Sequence, residues 1–185
     1  VARRFGFNRI VLANQLVGAR AIRYVLDEIA QDPEFDFYSL VDSVDQATCL
    51  AEAARAVDLP RPIQLIVEGG FLGGRTGCRR LDQAMAVART VSRASPYLSL
   101  RGVGGYEGLL RSPDPIELDG LVSRFLDYLV DIAIACDRED LFAPGEVLLT
   151  AGGSTFYDLV VQRFATAQVG RPYKVLTRSG CYLTH

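Results

Sequence analysis

Lysine and histidine are almost missing from this 185-residue chain: of its 20 basic residues only Lys174 is a lysine, and the single histidine is the last residue, His185. Chemistry that needs an internal His or several Lys is thereby excluded from this segment. No apolar run reaches the roughly 18 residues of a membrane-spanning helix, and no signal-peptide pattern opens the chain. Membrane and secreted readings drop out, and a cytoplasmic location is expected. Lys and Arg nowhere form the concentrated face that phosphate neutralisation requires, so nucleic acid is not an expected partner either. The cysteines, Cys49, Cys78, Cys136 and Cys181, form no CxxC pair and have no His at metal-ligand spacing. They read as small buried hydrophobes in a reducing compartment rather than as metal ligands.

What is present is the balance of one soluble globular domain: 49% hydrophobic residues and a net charge of −2. Short β-rich runs at 9–13, 36–41, 63–68, 98–103, 146–150 and 173–177 alternate with amphipathic stretches at 19–31, 44–57, 79–95, 115–136 and 154–168. Alternation of this kind predicts a parallel sheet with crossover helices. The runs are nearly continuous in apolar residues, as strands covered on both faces should be. In the 115–136 stretch Leu118, Leu121, Val122, Phe125, Leu129, Ile132 and Ala133 recur every three or four residues, one stripe to lay on the sheet. Six βα units are two short of a closed (β/α)8 barrel, and both ends read as cuts. The expectation is a partial barrel, residues 1–185, from a larger enzyme, with strand edges prone to aggregation.

Every unusual motif follows a strand, on the rim where such folds build their sites. TAGGST, residues 150–155, runs a strand into two glycines and then Ser154 and Thr155. Consecutive backbone N–H groups and a helix start there suit a phosphate; Ser154 equally suits a plain helix cap. RSGCYLTH, residues 178–185, follows the neighbouring strand, where the Ser179 and Gly180 amides and the Tyr182 hydroxyl are placed to complete a phosphate cup. GGFLGGRTG, residues 69–77, has five glycines in nine residues and holds Arg75, whose donor fork suits a carboxylate or phenolate. GYEG, residues 105–108, sets Tyr106 and Glu107 at the same face. Either glycine loop alone would pass for a tight turn.

Taken together, LANQLVG, GGRTG, GYEG, TAGGS and RSGCYLTH, in this order and spacing, resemble the fold-type III pyridoxal phosphate enzymes of the D-serine dehydratase and D-threonine aldolase family, related to alanine racemase. The set is most similar to the bacterial D-amino-acid or D-serine deaminase branch, over essentially the whole chain. The resemblance implies an alanine-racemase-type barrel binding pyridoxal 5′-phosphate, and a C-terminal β-domain that completes the site across a homodimer. In many members that domain holds a divalent metal, zinc or manganese. It implies a phosphate cup of Gly152, Gly153, Ser154 and Thr155 on one side and Gly180, Cys181 and Tyr182 on the other. Tyr106 would meet the pyridine ring or its nitrogen, Arg75 its polar edge, and Asn14 and Gln15 a loop after an early strand. The Schiff-base Lys is implied upstream of Val1, since Lys174 starts a strand at the wrong end; no catalytic residue and no metal ligand is expected in this chain. The implied activity is a lyase that converts a D-hydroxyamino acid, D-serine above all, to a 2-oxo acid and ammonia. Aldol cleavage of the D-threonine type and a non-catalytic cofactor-binding barrel are the alternatives. Gly70 and Leu109 stand where aldolase-like members carry Asp and some carry His.

Overall fold

The computed structural model describes residues 2–152 and 155–178. Strands β1 (Arg9–Gln15), β2 (Asp36–Val41), β3 (Ile63–Gly69), β4 (Leu98–Gly105), β5 (Val147–Ala151) and β6 (Tyr173–Thr177) alternate with helices α1 (Ala19–Gln31), α2 (Val44–Ala56), α3 (Leu81–Arg93), α4 (Pro115–Arg138) and α5 (Tyr157–Ala165). The six strands pair in chain order, and every pairing is parallel. Consecutive parallel strands with a helix at each crossover form the curled, incomplete (β/α)8 arrangement that the alternation predicted.

Local chemistry starts the helices where the sequence marks them. Ser43 accepts from the Gln46 N–H at 3.2 Å to cap α2, and Asp114 accepts from Ile116 N–H at 2.9 Å to cap α4, with Pro115 in its first turn. The helices pack one face of the sheet. Leu65, Val67, Val103 and Leu149 from the strands meet Leu126, Leu129, Ile132 and Phe164 in one buried cluster. Leu40 and Ile66, one residue out of phase with Val41 and Val67, are fully buried outside that cluster, on the inner face.

Most boundaries fall within two residues of the sequence reading, and two of the differences bear on the rim. Helix α5 begins at Tyr157 rather than at residue 154, because Phe156 is buried in the core and holds non-helical angles at the N-cap. Burial of that ring outweighs the capping preference of the preceding Ser and Thr. Asn14 and Gln15, read as a loop, are the last residues of β1; past a register slip after Leu12, Gln15 pairs with Leu40 of β2. No described helix is long and apolar enough to cross a membrane.

Candidate functional site

The carboxyl-terminal ends of β1, β3, β4, β5 and β6 share one rim, and a polar cluster gathers there around two buried carboxylates. Glu68, the penultimate residue of β3, is 2% exposed. Its Oε2 accepts from Gln15 Nε2 at 2.5 Å and its Oε1 from Thr76 Oγ1 at 3.1 Å. Burial pushes the Glu68 carboxyl above its ordinary range, against the opposing pull of these two hydrogen bonds. Glu107, just past β4, is completely buried, and its Oε2 accepts from the Gly152 N–H at 2.8 Å.

The glycine-rich segment after β3 closes on itself. Gly70 N–H donates to Cys78 O and Cys78 N–H to Glu68 O, each at 2.8 Å. Gly77 sits at φ +92, and a Cβ there would lie 2.6 Å from the carbonyl carbon of Gly69, so only glycine fits. Asp42 Oδ2, past β2, accepts the Gly77 N–H at 2.9 Å, while the Tyr128 hydroxyl of α4 donates to Cys78 O at 2.9 Å. Arg79 donates from Nε to Phe71 O and from Nη2 to Gly74 O, bracing the loop from outside. Held this way, Arg75 lies over the Tyr106 ring, 4.8 Å from its centroid.

Arg178, at the exit of β6, donates from Nη2 to Gly105 O, and its Nε is cut off from solvent with no partner among the described residues. Burial lowers its pKa, while the fields of Glu68 and Glu107 oppose that shift. The guanidinium keeps its charge, since no protein environment brings it to neutral pH. The arrangement therefore presents an arginine with a buried donor that has no partner among the described residues, a second arginine stacked on a tyrosine, and a buried carboxyl of raised proton affinity. Such a rim can bind an anion, face a planar ring and hold a proton away from bulk water.

Of the residues singled out from sequence, Arg75 and Tyr106 come together, and Gly152 and Thr155 lie at the exit of β5. Gly153, Ser154, Gly180, Cys181 and Tyr182 lie outside the described residues. Gly152 takes φ +101, so it shapes the turn, but its own N–H is spent on Glu107. Gln15 reaches the cluster through Glu68, whereas Asn14 is exposed and its Oδ1 accepts the Gln15 N–H. Lys174 pairs with Glu146 at 2.6 Å at the opposite end of the strands. Sequence reasoning missed Glu68, Asp42 and Arg178 as site groups. The available signal for Glu68 was one acid closing the otherwise apolar run IQLIVE. Among the described residues no group of three His, Cys, Asp or Glu is placed to hold a metal.

No family model and no curated protein matches the chain. Solved structures do. D-threonine aldolase from Filomicrobium marinum superposes with a TM-score of 0.70 at 21% identity, over 92% of this chain and 43% of the aldolase. D-threo-3-hydroxyaspartate dehydratase from Delftia sp. HT23 gives 0.65 at 19% identity, over 95% and 44%. Alanine racemase from Bacillus anthracis gives 0.52 at 15% identity, over 94% and 44%. The chain thus spans less than half the length of these proteins, and at such identities the likeness is one of fold. The fold of this chain is that of an incomplete alanine-racemase-type (β/α)8 barrel, with its polar cluster on the carboxyl-terminal rim.

Proposed function

We propose that this chain is part of the cofactor-binding barrel of a pyridoxal-phosphate-dependent lyase acting on D-hydroxyamino acids, of the D-serine dehydratase type. The observation that carries the reading is the rim cluster, in which the Arg75–Tyr106 stack and the buried donor of Arg178 stand beside the Gly152 turn. An anionic, planar, aromatic aldehyde suits these groups: Arg178 Nε, without a partner among the described residues, offers a hydrogen bond to one of its acceptors, and the Tyr106 and Arg75 pair offers a flat, charged edge. Gly152 to Thr155 and Gly180 to Tyr182 are the proposed phosphate cup, in which Gly152, its N–H taken by Glu107, turns the chain and the other backbone amides bind.

When bound, pyridoxal phosphate supplies the electron-withdrawing system that stabilises negative charge at the substrate Cα. The chain's own residues bind and orient it and keep water away. Desolvation raises the proton affinity of Glu68 on the inner face, and Thr76 and Gln15 fix where that carboxyl points. The net reaction removes the α-proton and the β-hydroxide of D-serine, and hydrolysis of the released enamine yields pyruvate and ammonia.

Dehydration is favoured over aldol cleavage by the loop itself. A Cβ at Gly70 would lie 2.2 Å from Thr76 O and 2.9 Å from Gly77 O, so this loop cannot carry the Asp of aldolase-like members without opening. Assays on the full-length protein decide: pyruvate and ammonia from D-serine support the reading, glycine and an aldehyde from D-threonine overturn its dehydratase part, and no uptake of pyridoxal phosphate overturns it altogether. Gly153→Asp should weaken pyridoxal phosphate binding by roughly tenfold or more, a loss of about 1.4 kcal/mol per decade.

A further inference from the structure

Glu107 is an expensive residue to bury. A carboxyl group with no exposed surface is costly to desolvate and is retained only where the hydrogen bonds it accepts offset that cost. Its Oε2 takes the Gly152 N–H at 2.8 Å. Gly152 needs holding: at φ +101 the backbone is in a region that side chains avoid, yet among the described residues a Cβ there would meet nothing closer than 3.8 Å. Backbone direction is what demands glycine at this point. Glu107 is itself anchored, since its carbonyl accepts the Leu110 N–H at 2.9 Å in a tight turn. From the next strand, Arg178 donates to Gly105 O, two residues before Glu107. The ends of β4, β5 and β6 are thus clasped together around one carboxylate.

We infer that Glu107 is a positioning residue for phosphate recognition: by holding the Gly152 backbone it aims the turn that leaves β5 at the phosphate. The inference rests on the cup proposed above. Glu107 acts through the backbone and not on the cofactor, because its carboxyl group is completely buried and already engaged with Gly152 N–H. Its effect is confined to the phosphate end, whereas the Arg75–Tyr106 pair serves the ring.

Equilibrium dialysis of the full-length protein against pyridoxal phosphate and against unphosphorylated pyridoxal separates these roles. Wild type should prefer the phosphorylated form. In Glu107→Ala that preference should fall by about tenfold or more, the scale of one buried hydrogen bond lost, with pyridoxal affinity unchanged. Glu107→Gln, which keeps an acceptor of the same size, should restore most of the preference. An unchanged preference in Glu107→Ala, an equal loss for both ligands, or a Gln variant as poor as the Ala variant would each overturn the inference. A wild type without preference for the phosphate would instead overturn the cup.

Discussion

The guanidinium of Arg75 lies over the face of the Tyr106 ring, 4.8 Å from its centroid, although the two residues come from different strand-to-helix loops. Contacts of this kind contribute about 0.5–2 kcal/mol, depending on exposure. Gly108 lies under the same tyrosine, where a Cβ would sit 2.5 Å from the hydroxyl oxygen. The ring is therefore located from two directions before any ligand arrives.

Tyr106→Phe keeps the face that Arg75 covers and should change unfolding free energy by less than about 0.5 kcal/mol, whereas Tyr106→Leu should lose about 1 kcal/mol or more. With cofactor, the Phe variant should bind normally but show a shifted absorbance. Urea titrations and cofactor spectra of both variants check this, and equal stability losses would mean that the stack contributes nothing.

Glu68→Gln should help at alkaline pH and not at acid pH. Burial raises the folded carboxyl above its free value, so the folded state holds the proton more tightly than the unfolded chain. The stability linked to that proton is complete below the free carboxyl range and is lost as pH rises through the folded value. Glutamine is neutral throughout and can still accept from Gln15 while donating to Thr76. Urea midpoints at about pH 4 and pH 8 should show the variant gaining on wild type as pH rises. A constant difference would contradict the burial argument.

Gly105→Ala should destabilise by about 1–3 kcal/mol through overpacking. A Cβ there would lie 2.6 Å from Phe125 Cζ and 2.9 Å from Leu129 Cδ1 of α4, with Gly69 O behind at 3.0 Å. Trimming Leu129 to Ala in the same chain should recover less than the whole loss, since Phe125 and the Gly69 carbonyl remain. Thermal unfolding of the single and double variants measures both terms.

Among Cys49, Cys78 and Cys136, only Cys49 should be alkylated rapidly at about pH 8 in the folded protein. Cys49 is exposed, whereas burial pushes the thiols of Cys78 and Cys136 up to about 12 each, leaving almost no thiolate. Peptide mapping after brief iodoacetamide treatment reads the pattern directly, and prompt labelling of Cys78 would show that the glycine loop opens.

The amino-acid sequence by itself determined the alternation, the parallel order and the rim, because periodicity and strand-ending glycines are local properties of the chain. Apolar runs such as IQLIVE and DFYSLV and the α4 stripe are legible one element at a time. It also marked Arg75, Tyr106 and Gly152, whose motifs are short and contiguous. Tertiary structure alone decided their partners. Glu68 reads as the end of a strand until Gln15, 53 positions away, and Thr76 meet its carboxylate. Likewise Glu107 finds Gly152 only across neighbouring strands, 45 positions apart. The start of α5 shows the same division: Ser and Thr propose a local cap, but burying Phe156 against the sheet moves the helix to Tyr157. A local preference contributes about 1 kcal/mol and a buried ring more, so the packing that no short window contains prevails.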